Sequence, residues 1–391
     1  MQTIQLCDRN ICTGCSSCFN ACPRNAIHME PDIEGFLNPI IDNDICVSCG
    51  LCIKSCPIIT PRTIIRKEPV YYAAINKNKN DHIKSASGGM FSAFARYFYD
   101  DLKGYVVAAS FDDHLVLHHK ISNNKGDLEK FRGSKYVQSE IGTTYKDVKN
   151  LLQSGKHVFF IGTPCQVAGL NSYLIKTYDN LFTIDLVCHG VPSPRLFKYY
   201  LDAIGVNTTK KFRDYIFRNR KDSAYFNSTV IPKYGFSKAI DYNKHSYICA
   251  YLKSWLHRES CYKCPFSSIP RQGDCSISDF WGILAGKVPF RYDKSHGVSM
   301  VMVNSQKGEQ IFEKVKAYLL YEKKTFEEAL IDNHNLIEHD VRPEIRNKSY
   351  TEMASTTPEE YLKKYNLSLP RKKTIFQRLI RKLSRLFNIK K

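Results

Sequence analysis

Eight cysteines near the amino terminus have types and spacing suited to binding iron–sulfur clusters. They lie in two runs, C-T-G-C-S-S-C-F-N-A-C-P at residues 12–23 and C-V-S-C-G-L-C-I-K-S-C-P at residues 46–57. Three cysteines at this spacing can wrap a short loop around one corner of a four-iron cube. The fourth cysteine, followed by proline, begins the departure of the chain and reaches a second cube. The sequence therefore predicts two 4Fe–4S clusters that carry single electrons.

The spacing C-x2-C-x2-C-x3-C-P is that of bacterial two-cluster ferredoxins, in which the fourth cysteine of each run ligates the other cluster. The ligands predicted for one cluster are Cys12, Cys15, Cys18 and Cys56. Those predicted for the second are Cys46, Cys49, Cys52 and Cys22. Zinc is the alternative, but zinc sites usually combine C-x2-C pairs without a third cysteine at the same spacing. Cys7 lies outside the pattern and is expected to be a buried or partly exposed residue without a ligand role.

The composition indicates a folded chain with more than one domain. A length of 391 residues suggests two or three domains, and 43% hydrophobic residues allow sizeable cores. The first residues lack the charged and apolar regions of a secretory signal, and no apolar stretch is long enough to span a bilayer. Fifteen cysteines without such a signal favour metal binding in a reducing compartment. We therefore expect a cytoplasmic protein.

The chain divides into a small cysteine-rich module, a large body and a basic tail. A ferredoxin domain is predicted over residues 1–60, with a hairpin between the cysteine runs and Gly35 and Pro39 near its turn. A proline-rich linker follows at about residues 60–69. Short apolar runs then alternate with helix-like stretches, which is typical of a mixed α/β core. The predicted strands lie at 105–110, 157–162 and 181–187, and the predicted helices at 89–101, 166–176 and 194–204. The fold class expected is α+β or mixed α/β.

Two short motifs in the body are candidates for holding a phosphorylated cofactor. In S-A-S-G-G-M at 85–90, small residues precede a helix whose first N–H groups could bind a phosphate. Two glycines before a helix are, however, more often only a turn. G-S-K-Y-V-Q-S at 133–139 places Lys135 beside Tyr136, a pair that by itself would usually be solvated surface.

Two further motifs contain cysteines. F-F-I-G-T-P-C-Q at 159–166 predicts a strand, a tight turn and a helix, with Thr163 at the N-cap, Pro164 at the first helical position and Cys165 in the first turn. The helix dipole there favours a thiolate, which could be a nucleophile or a metal ligand. C-Y-K-C-P-F at 261–266 supplies a C-x2-C pair that needs two more ligands. The available candidates are Cys165, Cys188 and Cys275.

Several motifs together resemble the coenzyme F420 hydrogenase/dehydrogenase beta-subunit family, which includes 7-hydroxymethyl chlorophyll a reductase. The motifs are S-A-S-G-G-M-F-S, G-S-K-Y-V-Q-S, F-I-G-T-P-C-Q-V-A-G-L, L-V-C-H-G-V-P-S, C-Y-K-C-P-F and D-F-W-G. The resemblance spans roughly residues 70–340, and we expect a domain of this family over 70–345. It implies an FAD-containing oxidoreductase with a further 4Fe–4S cluster.

The resemblance also implies site residues. The ligands it implies for the third cluster are Cys165, Cys188, Cys261 and Cys264, with Cys275 in reserve. The flavin-site candidates are Ser87, Gly88, Gly89, Lys135, Tyr136, Gly162 and Thr163. FAD converts between two-electron and one-electron chemistry, which suits a protein that also carries clusters. The catalytic residues are not assigned.

The expected function is electron transfer between the clusters and a flavin that reduces or oxidises a small molecule, either F420-like or another. Bacterial relatives of this length often accompany polysaccharide-assembly proteins. This association is weak and does not indicate an activity. The expected partners are that substrate and a redox partner protein or reduced ferredoxin. An electron-relay or scaffold subunit without a substrate site is the alternative. T-P-C-Q also resembles the nucleophile motif of cytosine DNA methyltransferases, but no glycine-rich cofactor loop lies near the amino terminus, and we expect no nucleic acid.

The carboxyl terminus is strongly basic. The last 21 residues contain nine Lys or Arg and no acidic residue, which leaves +10 of the formal charge of +19 for the rest of the chain. Apolar residues within 375–387 recur at helical spacing, so residues 346–391 are expected to form a helical tail with an amphipathic end. Such a helix could bind an anionic membrane at its cytoplasmic face, dock on an acidic partner, or pack on the body.

Overall fold

The structure is a computed structural model that describes residues 4–62, 68–219, 228–241 and 244–368. The predicted amphipathic end of the basic tail, within residues 371–391, lies outside the described residues. The part of the predicted tail that is described forms two helices, Arg346–Ser355 and Pro358–Lys364. In the described part of the chain, no helix is both long and apolar enough to cross a lipid bilayer.

The amino-terminal module is a pair of short helices around a hairpin. Its elements are α1 (Ser17–Ala21), β1 (Ile27–Pro31), β2 (Leu37–Ile41) and α2 (Leu51–Lys54). β1 and β2 are antiparallel, and Ile27 pairs with Ile41. The turn needs the left-handed conformation of Gly35 (φ +87°), as expected. The prediction for Pro39 was wrong, because it lies inside β2 opposite Met29 and not at the turn.

The body is built on one eight-stranded mixed sheet. Its strands are β3 (Val70–Asn76), β4 (Tyr105–Phe111), β5 (Leu117–Ser122), β6 (Val158–Gly162), β7 (Leu181–Leu186), β11 (Cys275–Asp279), β12 (Ser299–Val303) and β13 (Leu319–Lys324). The strand order is β13-β3-β12-β11-β7-β6-β4-β5. The four neighbouring strands β11, β7, β6 and β4 are parallel, and the outer pairs are antiparallel. All three predicted strands are confirmed within this sheet.

The parallel strands β4 and β6 are largely buried on both faces, which explains their mostly apolar sequences. Every residue of β6 is buried, in V-F-F-I-G. The helices around the sheet are α3 (Lys79–Ile83), α4 (Met90–Arg96), α5 (Leu128–Phe131), α6 (Thr144–Gln153), α7 (Pro164–Leu174), α8 (Pro194–Ala203), α9 (Ser246–Tyr251), α10 (Trp281–Leu284), α11 (Gln306–Val315), α12 (Phe326–Leu330), α13 (Arg346–Ser355) and α14 (Pro358–Lys364). The predicted helices at 166–176 and 194–204 correspond to α7 and α8. The one predicted at 89–101 begins as α4 and continues as a π-helical turn, Tyr97–Asp101.

A second, smaller sheet occupies the region that the sequence left unassigned. Its antiparallel strands are β8 (Phe212–Ile216), β9 (Thr229–Pro232) and β10 (Lys238–Ala239). Aromatic residues of this sheet, α8 and α9 share one core; the ring centroids of Phe197 and Tyr215 are 5.1 Å apart. The architecture is therefore a mixed α/β body with a small hairpin module, as the sequence predicted.

Candidate functional site

Each predicted ligand set of the amino-terminal module surrounds its own cavity. One cavity, of about 400 Å³, is lined by Cys12, Cys15, Cys18 and Cys56. The other, of about 340 Å³, is lined by Cys22, Cys46, Cys49 and Cys52. The fourth cysteine of each run thus faces the other run's first three, because the hairpin folds the two runs together. This arrangement agrees with the predicted exchange of ligands.

Cys7 also lines the first cavity, which the sequence did not lead us to expect. Its thiol is hydrogen-bonded to Cys12, and this contact, burial and the nearby Cys56 raise the pKa of Cys7 well above its ordinary value. A four-iron cluster takes four thiolates. Cys7 is therefore a fifth thiol beside a predicted set of four, close enough to affect it.

Within the described ranges, no three His, Cys, Asp or Glu side chains converge as they would on a single metal ion. A four-iron cluster asks for a different arrangement, because each thiolate binds a different iron atom and the sulfur atoms are spread around the cube. Four cysteines around one cavity are a donor set of this kind.

Arg258 anchors the amino-terminal module to the body. Its buried guanidinium donates to the carbonyl oxygens of Cys12 (2.8 Å) and Leu37 (3.0 Å) and to Asn38 Oδ1 (2.6 Å). It also donates to Gln138 Oε1 (3.2 Å), and Gln138 Nε2 donates to the carbonyl oxygen of Thr13 (2.9 Å). One side chain of the body therefore holds both the first cysteine loop and the hairpin.

The first cysteine set lies directly against helix α7. A methyl group added to Gly169 would lie 2.9 Å from Cys15 Cβ and 3.0 Å from Cys15 Sγ. Only glycine allows the loop and the helix to come this close. Cys165 lies on the same helix, one turn earlier, so the first cysteine set is its neighbour. Burial raises the pKa of Cys15 to about 12, and the nearby charges of Cys12 and Cys165 add to the rise.

The four cysteines implied for a third cluster come together in the body. Cys165 follows the carboxyl end of β6 and Cys188 follows that of β7, and these two strands are parallel neighbours. Cys261 and Cys264 lie on and just after the 3-10 turn Glu259–Lys263. The charges of Cys261, Cys165 and Cys264 all bear on Cys188, whose pKa is raised well above normal, first by burial.

Cys165 lies in the first turn of its helix, as predicted, with Thr163 at the N-cap and Pro164 next. Burial nevertheless raises the pKa of its thiol to about 11, and the neighbouring Cys264 adds to the rise. The helix dipole does not outweigh burial. A free nucleophilic thiolate is therefore disfavoured, whereas a bound metal would remove the proton itself.

Cys275, held in reserve as a ligand, takes another place. It is the first residue of β11, is fully buried in the apolar core, and its Sγ donates to the carbonyl oxygen of Gly308 at 3.8 Å. Its aliphatic neighbours include Val303 and Ile184, opposite it in the sheet. Cys275 therefore acts as a small core residue.

A large cavity opens at the carboxyl ends of the parallel strands. Its volume is about 1610 Å³, counting the part open to solvent. Ligands of open α/β sheets bind at this edge. The predicted flavin-site residues that line it are Ser87, Gly89, Lys135, Tyr136, Gly162 and Thr163. Cys165 and Cys188 line it as well.

Gly88, the remaining flavin-site candidate, packs behind the cavity wall. A methyl group there would lie 2.3 Å from the carbonyl oxygen of Ala74, and its N–H donates to Ser299 Oγ (2.9 Å). Ser87 Oγ donates to the carbonyl oxygen of Val298 (3.0 Å). The motif thus joins α4 to the sheet. Gly89, in the left-handed conformation (φ +85°), presents backbone to the cavity.

Lys135 is turned toward its own loop. Its Nζ donates to the carbonyl oxygens of Arg132 (2.9 Å) and Phe131 (3.2 Å). Burial lowers the pKa of Lys135, and the charge of Asp214 opposes that shift. The ammonium group of this flavin-site candidate therefore closes the loop that carries Tyr136.

A buried charge cluster that the sequence did not single out supports the same wall. Asp81 accepts hydrogen bonds from Arg132 Nη2 (2.7 Å) and from Arg96, through Arg96 Nη2 at 3.0 Å and its Nε. Two guanidinium groups share one carboxylate, which leaves an excess positive charge where Arg132 lines the cavity. A phosphate-bearing ligand would be attracted to this wall.

The comparisons with known proteins agree with this architecture. Residues 155–329 match the family model for the carboxyl terminus of the coenzyme F420 hydrogenase/dehydrogenase beta subunit. These residues are therefore similar to the carboxyl-terminal domain of that subunit. Residues 11–58 match the 4Fe-4S dicluster domain, so the protein is an iron–sulfur electron-transfer protein related to the F420 hydrogenase beta subunit. The family resemblance and the ferredoxin-type module are thus confirmed.

Similarity beyond these models is limited. Among solved structures, a chain of the F420-reducing NiFe hydrogenase complex from Methanosarcina barkeri is similar, with 16% sequence identity and a TM-score of 0.44. The match covers 78% of the present chain and 96% of that chain. No curated protein is significantly similar to the sequence.

Proposed function

We propose that this protein is an iron–sulfur flavoprotein oxidoreductase with three 4Fe–4S clusters and one FAD. The observation that carries the proposal is the continuous contact from the amino-terminal module to the large cavity. Cys15 packs on Gly169 of α7, and Cys165 of the same helix lines the cavity. Electrons that enter the module would therefore reach the cavity without leaving the protein.

In this proposal, the amino-terminal clusters are held by the two cysteine sets that surround the small cavities. The second set is the outer one, because Cys49 is exposed to solvent, whereas the first set faces α7. A redox partner protein or reduced ferredoxin would exchange electrons at the second cluster. The first cluster would pass them to the body beside Cys165.

The third cluster would be held by Cys165, Cys188, Cys261 and Cys264. Support comes from the donor set itself: four buried or half-buried thiols brought together from two strand ends and one turn. Arg258, whose positive charge acts on Cys12, Cys165 and Cys261, lies between this set and the first one. Its charge would offset part of the negative charge of two neighbouring clusters.

The large cavity would hold FAD and a small-molecule substrate. The backbone of Gly89 and Gly162 lines the cavity, and Arg132 supplies positive charge for the phosphates. Bound FAD supplies the exchange between two-electron transfer with a substrate and single-electron transfer with clusters. Tyr136, Tyr251 and Trp281 wall the cavity and would shield the reacting atoms from water.

Anaerobic purification followed by iron, sulfide and flavin quantitation tests the proposal. We expect about twelve iron atoms and one FAD per chain, from three four-iron clusters and one flavin. About eight iron atoms with no flavin would overturn it and favour an electron-relay or scaffold subunit without a substrate site. About twelve iron atoms without flavin would favour a relay with three clusters.

The basic carboxyl-terminal segment, residues 371–391, would bring the protein to an anionic membrane. The proposal rests on sequence alone, through the helical spacing of its apolar residues and its nine basic residues. Co-sedimentation with anionic liposomes, compared between the full chain and a chain lacking 371–391, tests it. Unchanged binding after the deletion would exclude a membrane role for the segment.

A further inference from the structure

A row of hydrogen-bonded side chains runs from Cys165 to His119 on the wall of the large cavity. In it, Thr163 Oγ1 lies 3.1 Å from Cys165 Sγ and 3.1 Å from Gln166 Oε1. We propose that the hydroxyl of Thr163 donates a hydrogen bond to the Cys165 thiolate and thereby sets the reduction potential of the third cluster. This inference rests on the proposed ligand role of Cys165.

The directions of the hydrogen bonds follow from the far end of the row. The carbonyl oxygen of Ile161 can only accept, so His119 Nε2, at 3.1 Å, donates to it. His119 Nδ1 is then the acceptor for the hydroxyl of Ser139 (2.9 Å). That hydroxyl in turn accepts from Gln166 Nε2 (2.9 Å). The amide of Gln166 is thereby fixed, with its oxygen toward Thr163.

The Thr163 hydroxyl has one proton and two acceptors within reach. Gln166 Oε1 already accepts from the backbone N–H of Thr163 (3.0 Å). The thiolate that Cys165 provides to iron carries negative charge and has no proton of its own. Because hydrogen bonds to charged acceptors are about twice as strong as neutral ones, the hydroxyl turns toward sulfur when a cluster is bound.

A hydrogen bond to a ligand sulfur raises the reduction potential of an iron–sulfur cluster, since it stabilises the more negative reduced state. Thr163 also lines the large cavity in which the flavin would be held. The effect of the hydrogen bond would be to make the third cluster a better acceptor for electrons that arrive from the amino-terminal module.

The test compares Thr163→Val and Thr163→Ser with the parent protein, by redox titration followed with electron paramagnetic resonance. The full-length, anaerobically purified protein is used, and the third cluster's signal is identified by its loss in Cys188→Ser. We expect a more negative third-cluster potential in Thr163→Val and a potential near the parent's in Thr163→Ser, which keeps the hydroxyl. The signals of the other two clusters are the internal reference and stay unchanged.

Gln166→Met supplies a second, opposite test. It removes the competing oxygen while keeping a long, helix-compatible side chain, so the hydroxyl of Thr163 is left with the sulfur alone. We expect the third-cluster potential to shift in the positive direction. A loss of packing alone would not shift the third-cluster potentials of Thr163→Val and Gln166→Met in opposite directions.

An unchanged potential in Thr163→Val, or shifts of the same sign in Thr163→Val and Gln166→Met, would overturn the inference. A parent protein with only about eight iron atoms would instead contradict the proposed third cluster itself. The two failures are therefore distinguishable from iron content alone.

Discussion

Arg258 Nε lies 2.8 Å from the carbonyl oxygen of Cys12, and this contact joins the carboxyl-terminal half of the body to the first cysteine loop. The two residues are 246 positions apart in the sequence. The same guanidinium group lies above the ring of Phe36, 5.3 Å from its centroid. The positive charge of Arg258 acts on the thiols around it, whereas its hydrogen bonds hold the amino-terminal module against the body.

Replacing Arg258 with Met, which keeps an unbranched apolar stem but has no donors, should loosen the amino-terminal module. Hydrogen bonds to charged groups contribute about 1.5–3 kcal/mol each, and several acceptors would be left unpaired, so we expect a loss of about 2–4 kcal/mol in stability. Hydrogen exchange measured by mass spectrometry should show faster exchange over residues 12–20 and 31–41. Arg195→Ala, which removes a single exposed bond to the carbonyl oxygen of Ile33, is the matched control. Equal exchange in both variants would contradict the anchoring role.

Gly169→Ala should disturb the first cysteine set. The added methyl group would overlap Cys15, and overpacking of this kind typically costs about 1–3 kcal/mol. Iron content should fall toward eight atoms per chain, with the loss confined to one amino-terminal cluster in the electron paramagnetic resonance spectrum (about four iron atoms per cluster). Gly126→Ala, at an exposed position without a positive φ, should keep the parent's iron content. Full iron content in Gly169→Ala would show that the loop can move away from the helix.

The sequence was most informative where chemistry imposes spacing. The two cysteine runs predicted which four thiols share each small cavity, because cluster geometry restricts the chain near the metal. Thr163 and Pro164 predicted the start of α7, since caps are local. The apolar runs of β4, β6 and β7 predicted buried strands, because such a pattern lies within a few consecutive residues.

Contacts between distant parts of the chain could not be predicted. Nothing near Arg258 in the sequence indicates a partner at Cys12. A glycine inside a helix, such as Gly169, indicates only a low helix propensity and not its close contact with Cys15. Lys135 is a predicted flavin-site residue that lines the cavity, but the main-chain carbonyl oxygens that its ammonium group contacts could not be predicted. Cys275 looked like a ligand by type, yet burial among aliphatic residues decides its role. In each case the deciding factor is tertiary packing.

Cys188→Ser and Cys275→Ser should separate a ligand from a core cysteine. Serine binds iron more weakly than cysteine, so Cys188→Ser should reduce iron content by about four atoms while the amino-terminal clusters remain. Cys275→Ser should keep all of the iron and lower only stability, because it places a hydroxyl group in the apolar core. The measurement is iron per chain together with thermal unfolding under anaerobic conditions. If only Cys275→Ser lost iron, Cys275 would be the cluster ligand and Cys188 would not.

His119 should make the protein less stable in acid. Burial lowers its pKa to about 4, compared with 6.5 in the unfolded chain, so between these values the unfolded state binds a proton that the folded state does not. Stability contributed by neutral His119 is therefore present above pH 6.5 and is lost as the pH falls toward 4. Between pH 7 and pH 5 the loss is about 2 kcal/mol for one such group.

His119→Gln removes this titration while keeping a donor near the carbonyl oxygen of Ile161. We expect a lower unfolding temperature than the parent's at pH 7, because the bond from Ser139 is weakened, but a smaller further drop between pH 7 and pH 5. His114→Gln, at an exposed histidine, should show the parent's full drop. The comparison uses anaerobic thermal scans of all three proteins at both pH values, so that acid damage to the clusters affects them equally. An equal drop in His119→Gln and the parent would mean that His119 is protonated in the folded protein.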